Sequence, residues 1–143
     1  MAQMAEGEWR GFVSEGTRTA KIATVRTDGR PHVVPIWFVL DGDDLIFTTG
    51  ENSVKAQALR RDARVALCVD DQAPPYAYVM IECTTRMQID APEMLRWTTR
   101  IGARYMGAAR AEEFGRRNVG PSELLVRVTP TRVNAEKDIA GYA

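Results

Sequence analysis

The chain has 143 residues, the length of one ordinary domain, and such a domain buries about two-thirds of the surface of its unfolded form. Hydrophobic residues make up 45% and charged residues 27%, a balance that excludes a disordered polar chain and a bundle of membrane helices. The formal net charge is +0, so the overall basic field typical of nucleic-acid binding is missing. We therefore expect a single domain, residues 1–143, that binds neither nucleic acid nor membrane.

The residues best suited to metal binding and nucleophilic catalysis are scarce. One histidine, His32, and two well-separated cysteines, Cys68 and Cys83, make no recognisable ligand set and argue against Ser/His/Asp or Cys/His catalysis. Both cysteines lie in apolar, strand-like segments, where a thiol behaves as a small hydrophobe. The start of the chain has neither the basic residues nor the apolar stretch of a signal peptide, so we expect a cytoplasmic protein.

In chain order, an amphipathic opening at residues 9–13 precedes a predicted strand at residues 19–26, which mixes small and β-branched side chains. An Asp-Gly turn leads to a second strand at residues 32–40. This strand is apolar almost throughout, which is typical of a strand buried on both faces or facing a ligand. A third strand follows at residues 45–49.

Pro35 lies within the second predicted strand. Because proline cannot donate to a sheet ladder, it occurs at an edge, at a bulge, or where the backbone faces something other than a strand. The sequence leaves open whether Pro35 marks an edge strand or the wall of a ligand site.

The second half of the chain alternates strands and helices. The predicted elements are a helix that Asn52 or Ser53 caps and that runs to about residue 61, strands at 64–69 and 76–89, a helix between Pro92 and Gly107, a helical segment to about residue 118, and strands at 124–128 and 131–135. Short connections favour antiparallel neighbours, so this order predicts a small closed or partly split antiparallel barrel.

The segment 48–55, TTGENSVK, leaves a strand, turns at Gly50 and opens a helix. The first N–H groups of a helix lack internal partners and carry the positive end of its dipole, so phosphate binds there readily. If Asn52 caps this helix, Lys55 occupies the third helical position, where a cation is unfavourable unless an anion is bound. The alternatives are a phosphate anchor, with Ser53 and Thr49 as hydroxyl donors, or a solvated lysine.

The run VVPIWFVLDGDDLIFTTGENSVKAQALRRDARVAL, residues 33–67, resembles the core of the pyridoxamine-phosphate-oxidase-like flavin-binding split barrels. It is more closely similar to their actinobacterial branch, the F420-dependent reductases. The resemblance covers residues 19–133, including the late segment RVTPTRV. It implies a mostly β (α+β) fold, a six-stranded antiparallel split β-barrel with flanking helices, and a homodimer with two cofactor sites at the subunit interface.

The resemblance also implies which residues hold the cofactor. Val34, Pro35, Ile36 and Trp37 would lie against the tricyclic ring. Thr48 and Thr49 would reach the ring or the ribityl chain, and Ser53 and Lys55 would hold the phosphate. Tyr76 and Tyr78 match positions contributed across the dimer, although a strand slip of one residue would exchange their faces.

The expected function is hydride transfer between coenzyme F420 and an electron-poor organic substrate, such as an enone, a quinone or a tetrapyrrole-like compound. Tyr76, Tyr78 or solvent would supply a proton. The alternatives are an oxidase or reductase that depends on FMN and a non-catalytic protein that binds a cofactor or haem. Pyridoxamine-phosphate oxidation itself is disfavoured, because the chain ends without the arginine-rich substrate segment of those enzymes.

Arg96, Arg100 and Arg104 recur every four residues, which places them on one face of the predicted helix. This face is either solvated or in contact with an anionic partner, such as the glutamyl tail of F420 or a carboxylated substrate. Trp97 and Tyr105, on the same helix, are expected in the core.

Overall fold

The computed structural model describes residues 1–89 and 91–141. Its elements, in chain order, are β1 (Ala2–Gln3), α1 (Glu8–Ser14), β2 (Ala20–Val25), β3 (Pro31–Ile36), β4 (Val39–Asp41), β5 (Asp44–Gly50), α2 (Val54–Arg61), β6 (Arg64–Asp71), β7 (Ala77–Ile89), α3 (Met94–Met106), a 3-10 helix (Ala108–Arg110), α4 (Ala111–Arg117) and β8 (Glu123–Lys137).

The strands of the described residues form one antiparallel sheet in the order β3-β2-β6-β7-β8-β5-β4, and β1 pairs with β8. The two ends of this order, β3 and β4, are consecutive in the chain, and only Trp37 and Phe38 separate them. No ladder between β3 and β4 occurs in the described part of the chain, so the barrel is split at this point. The α+β split-barrel prediction is confirmed.

The described residues form eight strands, whereas the family resemblance implied six and the patterns along the sequence predicted seven. The strand predicted at residues 32–40 is interrupted at Trp37 and Phe38, and the short β1 was not predicted. The strands predicted at 124–128 and 131–135 are one strand, β8. The register shifts between Glu82 and Cys83, which pair with Arg132 and Pro130, so a bulge accommodates this proline within the strand.

Two hydrophobic clusters lie on the two sides of β5. Leu45 and Phe47 point into the barrel, where they pack in the main core. Ile46 points the other way and packs with Trp97 of α3 in a second cluster. Because successive side chains of a strand face opposite sides, β5 is covered by the barrel on one face and by α3 on the other. No helix in the described ranges has the length and apolar character needed to cross a membrane.

Candidate functional site

A cavity of about 240 Å³ opens where the end of β3 approaches the start of α2 and the helices α3 and α4. Its lining joins a cation, a hydroxyl, an amide and an apolar aromatic surface, the mixture of groups found in small-molecule sites. Residues predicted from the sequence form more than half of the lining: Pro35, Ile36, Trp37, Thr48 and Lys55. The others come from α3 and from α4 and its end: Ile101, Phe114 and Asn118.

Lys55 lies in the first turn of α2, which the side chain of Ser53 caps. The Ser53 hydroxyl accepts a hydrogen bond from the Ala56 N–H at 3.0 Å. Ser53 rather than Asn52 is therefore the cap, and Lys55 is the second helical residue rather than the third. The first turn has no acidic residue, and Lys55 forms no salt bridge within residues 1–89 and 91–141. A half-buried cation at the positive end of a helix makes this corner of the cavity attractive to an anion.

The two threonines at the end of β5 face opposite sides. Thr48 lines the cavity, whereas Thr49 is buried and shares the orientation of Phe47 toward the barrel. The Thr49 hydroxyl lies 2.9 Å from the Ser53 hydroxyl. Neither Thr49 nor Ser53 belongs to the cavity lining, and their hydrogen bond ties the cap of α2 to β5.

Pro35 satisfies both explanations that the sequence left open. β3 is an end strand of the sheet, where Pro35 pairs with Lys21 of β2, and Pro35 also lines the cavity. Val34 points the other way, into the main core, and is outside the lining. The apolar run at residues 32–40 is therefore only partly buried, because the outer side of β3 is exposed and Val33 keeps 65% of its surface accessible.

An aromatic group forms one side of the cavity. The ring of Trp37 stacks on Tyr105 with their centroids 4.9 Å apart and their planes 8° apart. Phe114 tilts against the same indole at 5.4 Å. Trp37 keeps 38% of its surface exposed, so part of this aromatic surface is available to a ligand.

The α3 and α4 helices supply the part of the site that sequence reasoning missed, namely Ile101, Phe114 and Asn118. Close packing at glycines brings these helices together: a Cβ atom on Gly102 would lie 3.0 Å from the Phe114 Cβ. The Thr98 hydroxyl also donates to the Gly115 carbonyl at 2.9 Å. Glycines within two neighbouring helical segments were the available signal, because such glycines often mark close helix contacts.

Tyr76 and Tyr78 are outside the cavity lining of this chain. Tyr76 precedes β7 with a positive φ of 66° and is 42% exposed. The Tyr78 hydroxyl donates to the Glu136 carboxylate at 3.0 Å, and this hydrogen bond raises the pKa of Tyr78. Their proposed role across a dimer stays a prediction.

The three arginines on α3 contact backbone or aromatic groups of the same chain. The guanidinium of Arg104 donates to the backbone carbonyls of four residues: Val13, Gly16, Arg18 and Phe38. Arg96 and Arg100 place their guanidinium groups over the ring of Trp97, at 4.7 and 4.8 Å from its centroid. Arg104 is therefore neither a solvated side chain nor a ready anion ligand.

The thiols and the single histidine lie apart from the cavity. Burial raises the pKa of Cys83 to about 12 and also raises the pKa of Cys68, so both thiols are protonated at neutral pH. His32 is on β3 and is not part of the lining. In residues 1–89 and 91–141, no three His, Cys, Asp or Glu side chains are grouped as a metal site.

The chain is thus a split antiparallel barrel in which one cavity places a lysine at a helix start beside an aromatic surface. The family profile of pyridoxamine 5'-phosphate oxidase matches residues 5–137, and the chain belongs to this family. Among curated proteins, no sequence match was found.

Solved structures extend this result. The conserved hypothetical protein Rv2991 from Mycobacterium tuberculosis is 25% identical, with a TM-score of 0.84 over 98% of this chain and 89% of that one. An F420 reductase is also 25% identical, with a TM-score of 0.69 over 91% of this chain and 98% of that one. The heme storage protein HutZ from Vibrio cholerae is 16% identical, with a TM-score of 0.69 over 91% and 94% of the two chains, and shares the fold.

Proposed function

We propose that the chain is an oxidoreductase that transfers a hydride between coenzyme F420 and an electron-poor organic substrate, such as an enone, a quinone or a tetrapyrrole-like compound. The observation that carries the proposal is Lys55, a half-buried cation without a carboxylate partner in the described residues, at the positive end of α2. The resemblance to the F420 reductase, which extends over 91% of the chain, favours F420.

The residues of the cavity fit a phosphate-bearing ring system. Lys55 would hold the phosphate with the free N–H groups of the first turn of α2, which Ser53 and Thr49 keep in place. Trp37 and Phe114 would exclude water from one side of the ring. The bound cofactor supplies the hydride chemistry, and the chain binds, orients and shields.

FMN is the second candidate. The family is named for an oxidase of pyridoxamine 5'-phosphate. The phosphate of FMN would bind to the same lysine and the same helix start as that of F420. With FMN in place, the protein would be a flavin oxidase or reductase.

We also propose that a second copy of the chain completes the site, giving a homodimer in the cytoplasm. The cavity of about 240 Å³ is smaller than the roughly 300–1,000 Å³ of typical small-molecule sites. Apolar side chains extend outward from it along the sheet, with Val33 at 65% and Val25 at 56% exposure. Such a surface favours an interface, across which Tyr76 and Tyr78 would approach the cofactor of the partner.

A titration of the purified protein with F420 and, separately, with FMN tests the cofactor proposal. Absorbance and fluorescence report binding of either ligand. We expect saturable binding of F420 at lower concentration than FMN, and consumption of an enone, quinone or biliverdin with reduced F420. Preference for FMN would reject the first candidate in favour of the second, and cofactor binding without turnover of any substrate would favour a binding protein.

Val33→Lys tests the interface. A lysine at this exposed position adds a charge to the apolar surface beside Pro35, so we expect the mass measured by light scattering to fall from two chains to one. Leu95→Lys is the matched control, because Leu95 is 46% exposed on α3. A wild-type protein that is monomeric at micromolar concentration would contradict the dimer.

A further inference from the structure

The interruption between β3 and β4 leaves backbone groups without strand partners. Phe38 lies in this interruption and its side chain is fully buried, so its N–H and carbonyl need other partners. Two consecutive residues of α3 provide them. The Tyr105 hydroxyl accepts from the Phe38 N–H at 3.2 Å, and Arg104 donates to the Phe38 carbonyl at 2.8 Å.

Tyr105 and Arg104 also form hydrogen bonds to backbone carbonyls outside the interruption. The Tyr105 hydroxyl donates to the Arg18 carbonyl at 2.8 Å. Arg104 donates to the Val13 carbonyl, in the last turn of α1, at 2.7 Å and to the Gly16 carbonyl, between α1 and β2, at 3.0 Å. Burial raises the pKa of Tyr105, so its hydroxyl is a neutral donor. The C-terminal end of α3 thus holds the interruption of the barrel to the α1 region.

Trp37 is the residue that this arrangement immobilises. It precedes Phe38 in the chain, and its indole stacks on the Tyr105 ring at 4.9 Å. Backbone hydrogen bonds on one side and ring stacking on the other fix the position of an exposed aromatic side chain that a strand interruption would otherwise leave loose.

We propose that Tyr105 and Arg104 are positioning residues for the cavity, which hold Trp37 as a rigid surface against which the flat ring of the ligand packs. The proposal rests on the proposed function in that the ligand carries such a ring. Neither residue lines the cavity, so each acts through Trp37 and its neighbour Phe38. Because Trp37 is already held in place, ligand binding does not have to immobilise it, and the loss of conformational entropy on binding is smaller.

Tyr105→Phe tests the hydroxyl alone, because it keeps the stacked ring and removes only the hydroxyl. We expect acrylamide to quench the tryptophan fluorescence of the ligand-free variant more than that of the wild type. We also expect the affinity for the bound cofactor to fall about fivefold, because the variant loses the hydroxyl hydrogen bonds to Phe38 and Arg18 that hold the segment around Trp37. Both changes should disappear when Tyr105→Phe is made in a Trp37→Phe background.

Arg104→Lys provides a second variant that keeps the charge but loses the planar set of donors, and it should give the same two changes. Arg100→Gln, one helical turn earlier and stacked on Trp97, is the matched control and should leave cofactor affinity unchanged. A variant that is only less stable would show a lower melting temperature with unchanged quenching of the folded protein.

Two results would overturn the proposal: unchanged quenching in Tyr105→Phe, or an equal loss of affinity with and without Trp37. If the wild type binds neither F420 nor FMN, the proposed function fails. The comparison of ligand-free quenching still decides whether Tyr105 fixes Trp37.

Discussion

Replacing Lys55 with alanine is expected to weaken cofactor binding by roughly 1.5–3 kcal/mol, because a charge-assisted hydrogen bond to phosphate is lost. This corresponds to about a 10- to 150-fold rise in the dissociation constant. The affinity of the wild type should also fall with added salt, and the variant should show a shallower dependence. Titration followed by fluorescence at two salt concentrations measures both effects.

The ligand-free Lys55→Ala protein should be no less stable than the wild type. A cation in the first turn opposes the helix dipole, and alanine is the better helix former. Loss of binding without loss of stability separates a ligand contact from a structural one. Arg60→Ala, at an exposed position of α2 outside the cavity, is the control that should bind normally. Unchanged affinity in Lys55→Ala would show that Lys55 is a solvated lysine that does not contact the cofactor.

Replacing Trp97 with alanine should lower the free energy of unfolding by about 3–5 kcal/mol, the usual cost of emptying a large aromatic site in a core. Trp97 is 2% exposed and is the largest side chain of the cluster that joins α3 to β5. Since α3 carries Ile101 of the cavity, the same packing supports the site. Urea denaturation followed by circular dichroism measures the change.

Leu95→Ala offers a matched control on the same helix, because this side chain is 46% exposed. Its cost should stay within about 0.5 kcal/mol. Trp97→Phe should cost less than Trp97→Ala, since it keeps most of the ring and removes an indole N–H that has no hydrogen-bond partner in the described residues. Equal stability of the Trp97→Ala and Leu95→Ala variants would contradict the assigned role of the cluster.

Local patterns in the sequence predicted the barrel and the region where α2 begins, although they left open whether Asn52 or Ser53 caps this helix. The alternation of side chains in β2 and the turn residues around it are local features, and so is a serine before a helix. The sequence pattern did not predict the interruption at Trp37 and Phe38, because apolar residues continue through it. The backbone groups of Phe38 are instead hydrogen-bonded by Tyr105 and Arg104, which are distant in the chain. Long-range hydrogen bonds of this kind leave no periodic signal.

The sequence predicted only the part of the candidate site that comes from neighbouring segments of the chain. The part from β3, β5 and α2 came from adjacent segments and a family resemblance, whereas Phe114 and Asn118 reach the cavity only through the packing of α4 on α3. The arginine spacing on α3 predicted a face that is either solvated or in contact with an anionic partner, yet the Arg104 guanidinium donates to four backbone carbonyls of the same chain. Regular spacing shows which side chains share a helix face but not what that face meets.

The prolines of β3 have a consequence for self-association. Pro31 and Pro35 lie on a strand at one end of the sheet order found in the described residues. A proline in such a strand turns its nitrogen away from the paired neighbour, so the free edge offers fewer N–H donors to an incoming strand. Another chain is thereby discouraged from extending the sheet into an aggregate. Pro35 also lines the cavity, so the same residue contributes to a cavity wall and to the protected edge of the sheet.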